Sequence, residues 1–217
     1  MLTGGRQDMN RRQAVAKFSE NQQTKKEQEV LTVASDYFLS HGYKGTSINA
    51  MARDSGISKE SIYRYFSSKK DLFEAVIAKE LAEYQEKLHS VDFEYDSIPL
   101  DVALQKTAES ILSAVTTNRT LSLRRLIFQE ARKTPEIGRY YYEIGPREAY
   151  RNLEKVFALH KAEANLPPAK LAQYFVSMVL HYTMLVRQCG VIKPLTRKQI
   201  QRHAAEVTKD FLDAFFD

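Results

Sequence analysis

The sequence predicts an all-α fold, and three observations carry that prediction. Apolar residues recur at steps of three and four over long stretches, the spacing of one helical face. No stretch alternates apolar and polar residues for long enough to make a strand. The 217 residues hold only 8 Gly and 6 Pro, too few for the tight turns of a many-stranded chain.

Charge divides the chain. Residues 1–70 hold 12 Lys/Arg and 7 Asp/Glu, whereas the rest hold 20 of each, so the net charge of +5 sits in the first third. A basic end on a neutral body suits a polyanionic partner. One cysteine, Cys189, cannot build a disulfide framework and fits a reducing compartment. No apolar run approaches the roughly eighteen residues of a membrane span. Met1–Gln28 lacks the apolar core of a secretory signal. The expectation is a cytoplasmic protein without a membrane partner.

The elements follow in order. Residues 1–22 read as a flexible tail carrying Arg6, Arg11, Arg12 and Lys17. From residue 26 to 41, Val30, Leu31, Ala34, Tyr37 and Phe38 form one helical stripe, and Gly42 supplies a left-handed cap. Two short helices follow between residues 46 and 66. A longer one spans 69–89, with Leu72, Phe73, Val76, Ile77 and Leu81 on its apolar side. Residues 90–100 read as an acidic linker. Helical periodicity resumes over 101–116, 121–133, 136–164, 169–190 and 197–216, bounded by Pro135, Pro167–Pro168 and Pro194. Gly145–Pro146 kinks or splits the longest of these.

The two short helices hold the candidate site. Thr46 or Ser47 caps the first, with Ile48, Met51 and Ala52 inward. Gly56 sits where the turn needs a positive backbone angle, and Ile57 plugs the joint. Ser58 caps the second helix, whose inward residues are Ile62 and Phe66. Lys59, Glu60, Ser61, Tyr63, Arg64 and Tyr65 point outward. A two-turn helix that buries little and presents much is the layout of a recognition helix sized for the DNA major groove. Glu60 either accepts from a cytosine amino group or, as favoured here, pairs with Arg64 four residues on. Lys69 opens the next helix, where a cation opposes the macrodipole unless a phosphate binds there.

These residues resemble the DNA-binding domain of TetR/AcrR-type transcriptional regulators. The similar pieces are VLTVASDYFLSHGY from Val30, Thr46–Ile48, Met51–Ala52, Ser55–Lys59, Ile62–Phe66, Ser68–Lys69 and Leu72–Phe73. The resemblance implies that Thr46, Tyr63 and Lys69 contact phosphates and that Lys59, Glu60, Ser61 and Tyr65 face base edges. Glu60–Ser61 departs from the small residues common in the family. More faintly, Arg125–Ala131, Pro135, Tyr141–Tyr142 and Gly145–Pro146 are similar to the ligand domain of the AcrR/AefR-like branch.

The resulting layout is a three-helix helix-turn-helix domain at 23–70 and a helical ligand-binding and dimerisation domain at 71–217. An operator of two half-sites forming an imperfect palindrome calls for a homodimer. The candidate interface is a stripe of Leu171, Phe175, Met178, Tyr182, Leu185 and Cys189, joined by Val207 and Phe211 of the last helix in an intersubunit four-helix bundle. A second apolar seam runs beside it through Ala172, Val176, Val179, Thr183 and Val186. Cys189, on that stripe, is expected to be buried. Phe128, Tyr140, Tyr141, Tyr142, Tyr150 and Phe157, with Gln129, Glu130, Arg124 or His160 as polar handle, are candidates for a pocket taking a small apolar or amphipathic ligand.

Glu86-x-x-His89 is half of a di-iron motif without its other half, and no Gly-rich phosphate loop or nucleophile elbow exists. No enzyme activity, metal or cofactor is expected. The expected function is a homodimeric transcriptional regulator, a repressor released by a small-molecule inducer. The rival reading is a helical carrier or enzyme using the aromatic middle of the chain. A non-specific nucleic-acid coating protein is a second rival, but the basic residues gather at one short helix rather than along a surface.

Overall fold

A computed structural model describes residues 25–89, 98–160 and 164–216, with the backbone alone over 83–89. The expected tail, most of the linker and the side chains of Glu86 and His89 lie outside the described residues. The helices are α1 (Lys25–Gly45), α2 (Ile48–Ser55), α3 (Lys59–Tyr65), α4 (Lys69–His89), α5 (Leu100–Val115), α6 (Asn118–Ala131), α7 (Pro135–Ile144), α8 (Pro146–Leu159), α9 (Pro168–Gln188) and α10 (Arg197–Phe215). Among the described residues the single departure from helix and loop is an isolated bridge between Ala164 and Phe216. No helix of the described residues is long and apolar enough to cross a membrane.

Local chemistry sets the boundaries. Gly42 interrupts α1 with φ 72 and ψ 169, a positive φ that suits glycine but not the left-handed helical cap expected there. Gly56 does take the left-handed helical conformation, φ 72 and ψ 5, and closes α2. Pro146 ends α7 at Gly145, dividing the long periodic stretch into α7 and α8. Thr196 and Gln199 form a full capping box at the start of α10.

The chain divides into two compact units. One holds residues up to Glu83 together with Ser122–Gly145, and the other holds Tyr84–Leu121 and Pro146 onward. This differs from the expected 23–70 and 71–217 division. The apolar side of α4 shares a single core with α1–α3 and with Leu126, Ile127, Ile137 and Ile144 of α6 and α7. Periodicity reveals that a face is buried, not which neighbour covers it.

In the second unit, α8 lies along α9 and α5 along α10. Phe157, Phe175 and Phe211 meet at its centre, with centroid separations of 6.3, 5.5 and 5.1 Å. Leu171, Phe175, Val207 and Phe211, expected at a dimer interface, are therefore core residues of this unit. Met178, Tyr182 and Leu185 remain on the surface of α9, joined by Tyr174. The outward side of α10 carries ion pairs instead of apolar residues, Arg202–Glu206 at 2.8 Å and Lys209–Asp213. Cys189 is exposed rather than buried, because α9 ends at Gln188 and the stripe ends with it.

Candidate nucleic-acid interface

Ser47 caps α2, its side chain accepting from the Ala50 N–H at 3.4 Å. Thr46 is the neighbour and is nearly buried, 2% exposed. Its hydroxyl donates to the Gly42 carbonyl at 2.7 Å, so it fastens the chain between α1 and α2. The hydroxyl expected at a phosphate is thus committed internally. Tyr37 adds a second fastening between the same helices, its hydroxyl donating to Asp54 at 2.5 Å. That bond, reinforced by Arg53, holds the Asp54 carboxyl below the usual range.

Ser58 opens α3. Its Oγ accepts from the Ser61 N–H at 3.1 Å and donates to the Ser61 hydroxyl at 2.9 Å. Ser61 is consequently drawn inward and buried, against its expected outward position. Position 61 lies one turn on from Ser58, on the same side of the helix, and the cap's bond to its hydroxyl fixes its rotamer. Lys59, Glu60, Tyr63 and Arg64 are exposed, and Tyr65 is half-buried against the core. The Lys59 ammonium lies 5.7 Å from the Tyr63 ring centroid, and the Arg64 guanidinium 5.2 Å from that of Tyr65. The expected Glu60–Arg64 ion pair is absent among the described residues, since Arg64 covers Tyr65 instead.

At the start of α4, Ser68 accepts from the Asp71 N–H at 3.1 Å, while the Asp71 carboxylate takes the Ser67 hydroxyl. The Lys69 ammonium donates to the Thr46 carbonyl at 2.7 Å and lies 4.6 Å from the Tyr43 ring centroid. Burial pushes the Lys69 pKa down, and the charge of Glu130 opposes that shift. Tyr43 was not among the expected site residues. It stands between Gly42 and Lys44 in a short polar connection, and nothing in the sequence ties it to a lysine 26 positions on.

The candidate ligand residues fall in both units. Phe128 of α6 meets Tyr141 of α7 edge to face at 6.1 Å, and the Arg124 guanidinium lies 5.4 Å from the Phe128 centroid. Tyr141 is buried, which raises its pKa, whereas Phe128 and Tyr142 are about half exposed, at 49% and 48%. Glu130 is 5% exposed. Tyr150 belongs to α8 and packs against the core of the second unit.

Two short helices joined by a glycine turn, the second with its polar side outward, define a helix-turn-helix DNA-binding protein. Residues 30–76 match the family described as bacterial regulatory proteins, tetR family. Residues 102–216, more than half the chain, match the C-terminal domain of AefR-like transcriptional repressors. The chain belongs to the TetR family of transcriptional regulators.

Individual relatives agree. The regulator AcrR of Shigella flexneri is 28% identical over 152 residues, covering 66% of this chain and 67% of its own. YfiR of Bacillus subtilis (strain 168), an HTH-type transcriptional regulator, is 24% identical over 75% of this chain and 80% of its own. Among solved structures, a TetR-family regulator from Mesorhizobium loti superposes with a TM-score of 0.78 at 25% identity, over 91% of this chain and all of that one. The flavonoid-responsive regulator FrrA superposes at 0.72 with 27% identity, over 89% of this chain and 98% of that one. These relatives are transcriptional regulators, not enzymes.

Proposed function

We propose that the protein is a homodimeric, sequence-specific transcriptional repressor of the cytoplasm, released from an operator by a small molecule. The observation that carries this reading is the division of α3, which turns Ile62 inward and Lys59, Glu60, Tyr63 and Arg64 outward. An α-helix fits the major groove, and long polar side chains on it reach base edges. Lys59, Glu60 and Tyr65 read bases in this account. Tyr63, Ser47 and Lys69 hold the backbone, and Arg64 contributes charge beside them.

Dimerisation through α9 is supported by Tyr174, Met178, Tyr182 and Leu185, apolar groups exposed at helical spacing. An apolar stripe left open to water marks an interaction surface. The inducer is an aromatic amphipath taken by Phe128, Tyr141, Tyr142 and Arg124. The responsiveness that FrrA's name states supports that class. A carrier would give the outward side of α3 no task.

The test is a fluorescence-anisotropy titration of the dimer on DNA flanking its own gene, at several salt concentrations. Saturable binding to one imperfect palindrome is expected, with affinity falling steeply as salt rises. Lys69→Met should flatten the salt dependence by about one counterion on every duplex, whereas Lys59→Ala should change which duplex is preferred. Binding that ignores sequence would contradict the reading.

A further inference from the structure

The aromatic cluster of α6 and α7 holds hydrogen-bond donors without acceptors. The Nε of Arg124 is buried, yet no hydrogen-bond partner reaches it. Among the described residues the guanidinium enters no ion pair, and its neighbour is the Phe128 ring, 5.4 Å away at the centroid. The same ring meets Tyr141 edge to face at 6.1 Å. Tyr141 is 8% exposed, and its hydroxyl makes no hydrogen bond among the described residues. Burial raises its pKa and the Arg124 charge acts the other way, so at neutral pH the phenol keeps its proton and donates.

Folded proteins leave few buried donors unpaired, and each one that persists calls for a reason. A guanidinium withdrawn from water without a counter-charge costs stability. Here two such donors lie beside one half-exposed phenyl ring, all in the same unit of the chain. An acceptor supplied from outside the chain accounts for both.

We infer that this cluster binds an aromatic carboxylate, whose anion takes the Arg124 guanidinium and the Tyr141 hydroxyl while its ring packs on Phe128. The inference rests on the reading of the cluster as the inducer site, and it narrows the inducer from an amphipath to an anion. One guanidinium balances one negative charge, which favours a monocarboxylate over a phosphate. The Nε–H and an adjacent Nη–H form a parallel pair that matches two carboxylate oxygens. A neutral aromatic would leave the donors unpaired, and an ammonium would meet a like charge.

The experiment titrates the full chain by calorimetry with probes of one shape: 2-naphthoate, 2-naphthamide and 2-naphthylmethylammonium. Wild type should bind 2-naphthoate at least about tenfold more tightly than the other two, as a charge-assisted hydrogen bond provides. Arg124→Met should abolish that preference, and Tyr141→Phe should reduce it by a smaller factor. Because Met replaces an unpaired charge with an apolar stem, Arg124→Met should melt no lower than wild type.

Equal affinity for naphthoate and naphthamide, no binding of naphthoate, or a preference that survives Arg124→Met would overturn the inference. So would a marked fall in the melting temperature of Arg124→Met, which would give the guanidinium a partner inside the chain. Operator anisotropy with the same probes separates the inference from the reading beneath it. Naphthoate that binds through Arg124 but leaves the operator complex intact upholds the site and removes its inducer role. Release by naphthamide or the ammonium probe, and not by naphthoate, upholds the inducer role and overturns the anionic class.

Discussion

The hydroxyls around α2 and α3 are the smallest parts with a functional consequence. Ser47 and Ser58 were readable as caps, because a short polar residue before an apolar-periodic run has few other uses there. Which of Thr46 and Ser47 would cap was open, and packing decided it by burying Thr46. The bond between Tyr37 and Asp54 is not legible in the sequence because they sit 17 positions apart, where no local spacing rule operates. Their bond holds the Asp54 carboxyl low, so its contribution to stability is present above the ordinary carboxylate range and disappears as pH falls through the depressed value. Tyr37→Phe removes the largest cause of that depression. Its Asp54 should titrate at higher pH by NMR, and the stability difference from wild type should vanish in acid. Identical Asp54 titration curves would refute the assignment.

At the scale of elements, helix existence was largely readable and helix partnership was not. Every long periodic stretch is a helix, and Pro135 and Pro146 mark boundaries where an interior proline would cost a hydrogen bond. The interface residues Leu171, Phe175, Val207 and Phe211 were misassigned because a buried stripe looks the same whether its cover is its own chain or a second copy. Arg187 shows the opposite blindness. A basic residue in the last turn of α9 reads as a solvated dipole partner. It is in fact 5% exposed, bonded to the carbonyls of Thr116 and Ile192 and to Asn118.

The α6–α7 hairpin is similarly close-fitted. A Cβ on Gly138 would stand 2.9 Å from the Ala131 Cβ, a contact neither rigid methyl can relieve by rotation. Gly138→Ala gains about 1 kcal/mol of helix propensity but should lose more to overpacking, about 1–3 kcal/mol, for a net fall in denaturation midpoint. A rise in that midpoint would show that the hairpin opens freely.

For the whole molecule, the concentration of positive charge in the first third was the earliest sign of function, and it survives in the structure as Lys59, Arg64 and Lys69 around one short helix. What composition could not show was the allocation of Ser122–Gly145, most of α6 and all of α7, to the unit that carries the reader. The proposed dimer depends on the exposed stripe of α9, where Tyr182 is 71% and Leu185 51% exposed. Tyr182→Glu should therefore yield a folded monomer by analytical ultracentrifugation, with operator affinity sharply reduced because one half-site contact no longer assists the other. A dimer that persists would move the interface elsewhere.

In the proposed complex α3 enters the major groove, once from each of two copies. That entry is tested most directly by Lys59→Cys in a Cys189→Ser background, with an iron chelate attached at position 59 to cut nearby DNA. Two symmetric clusters of cleavage within one operator are expected, centred about one helical turn or a multiple of it apart. Uniform cleavage along the duplex, or none at a site the protein demonstrably occupies, would contradict it.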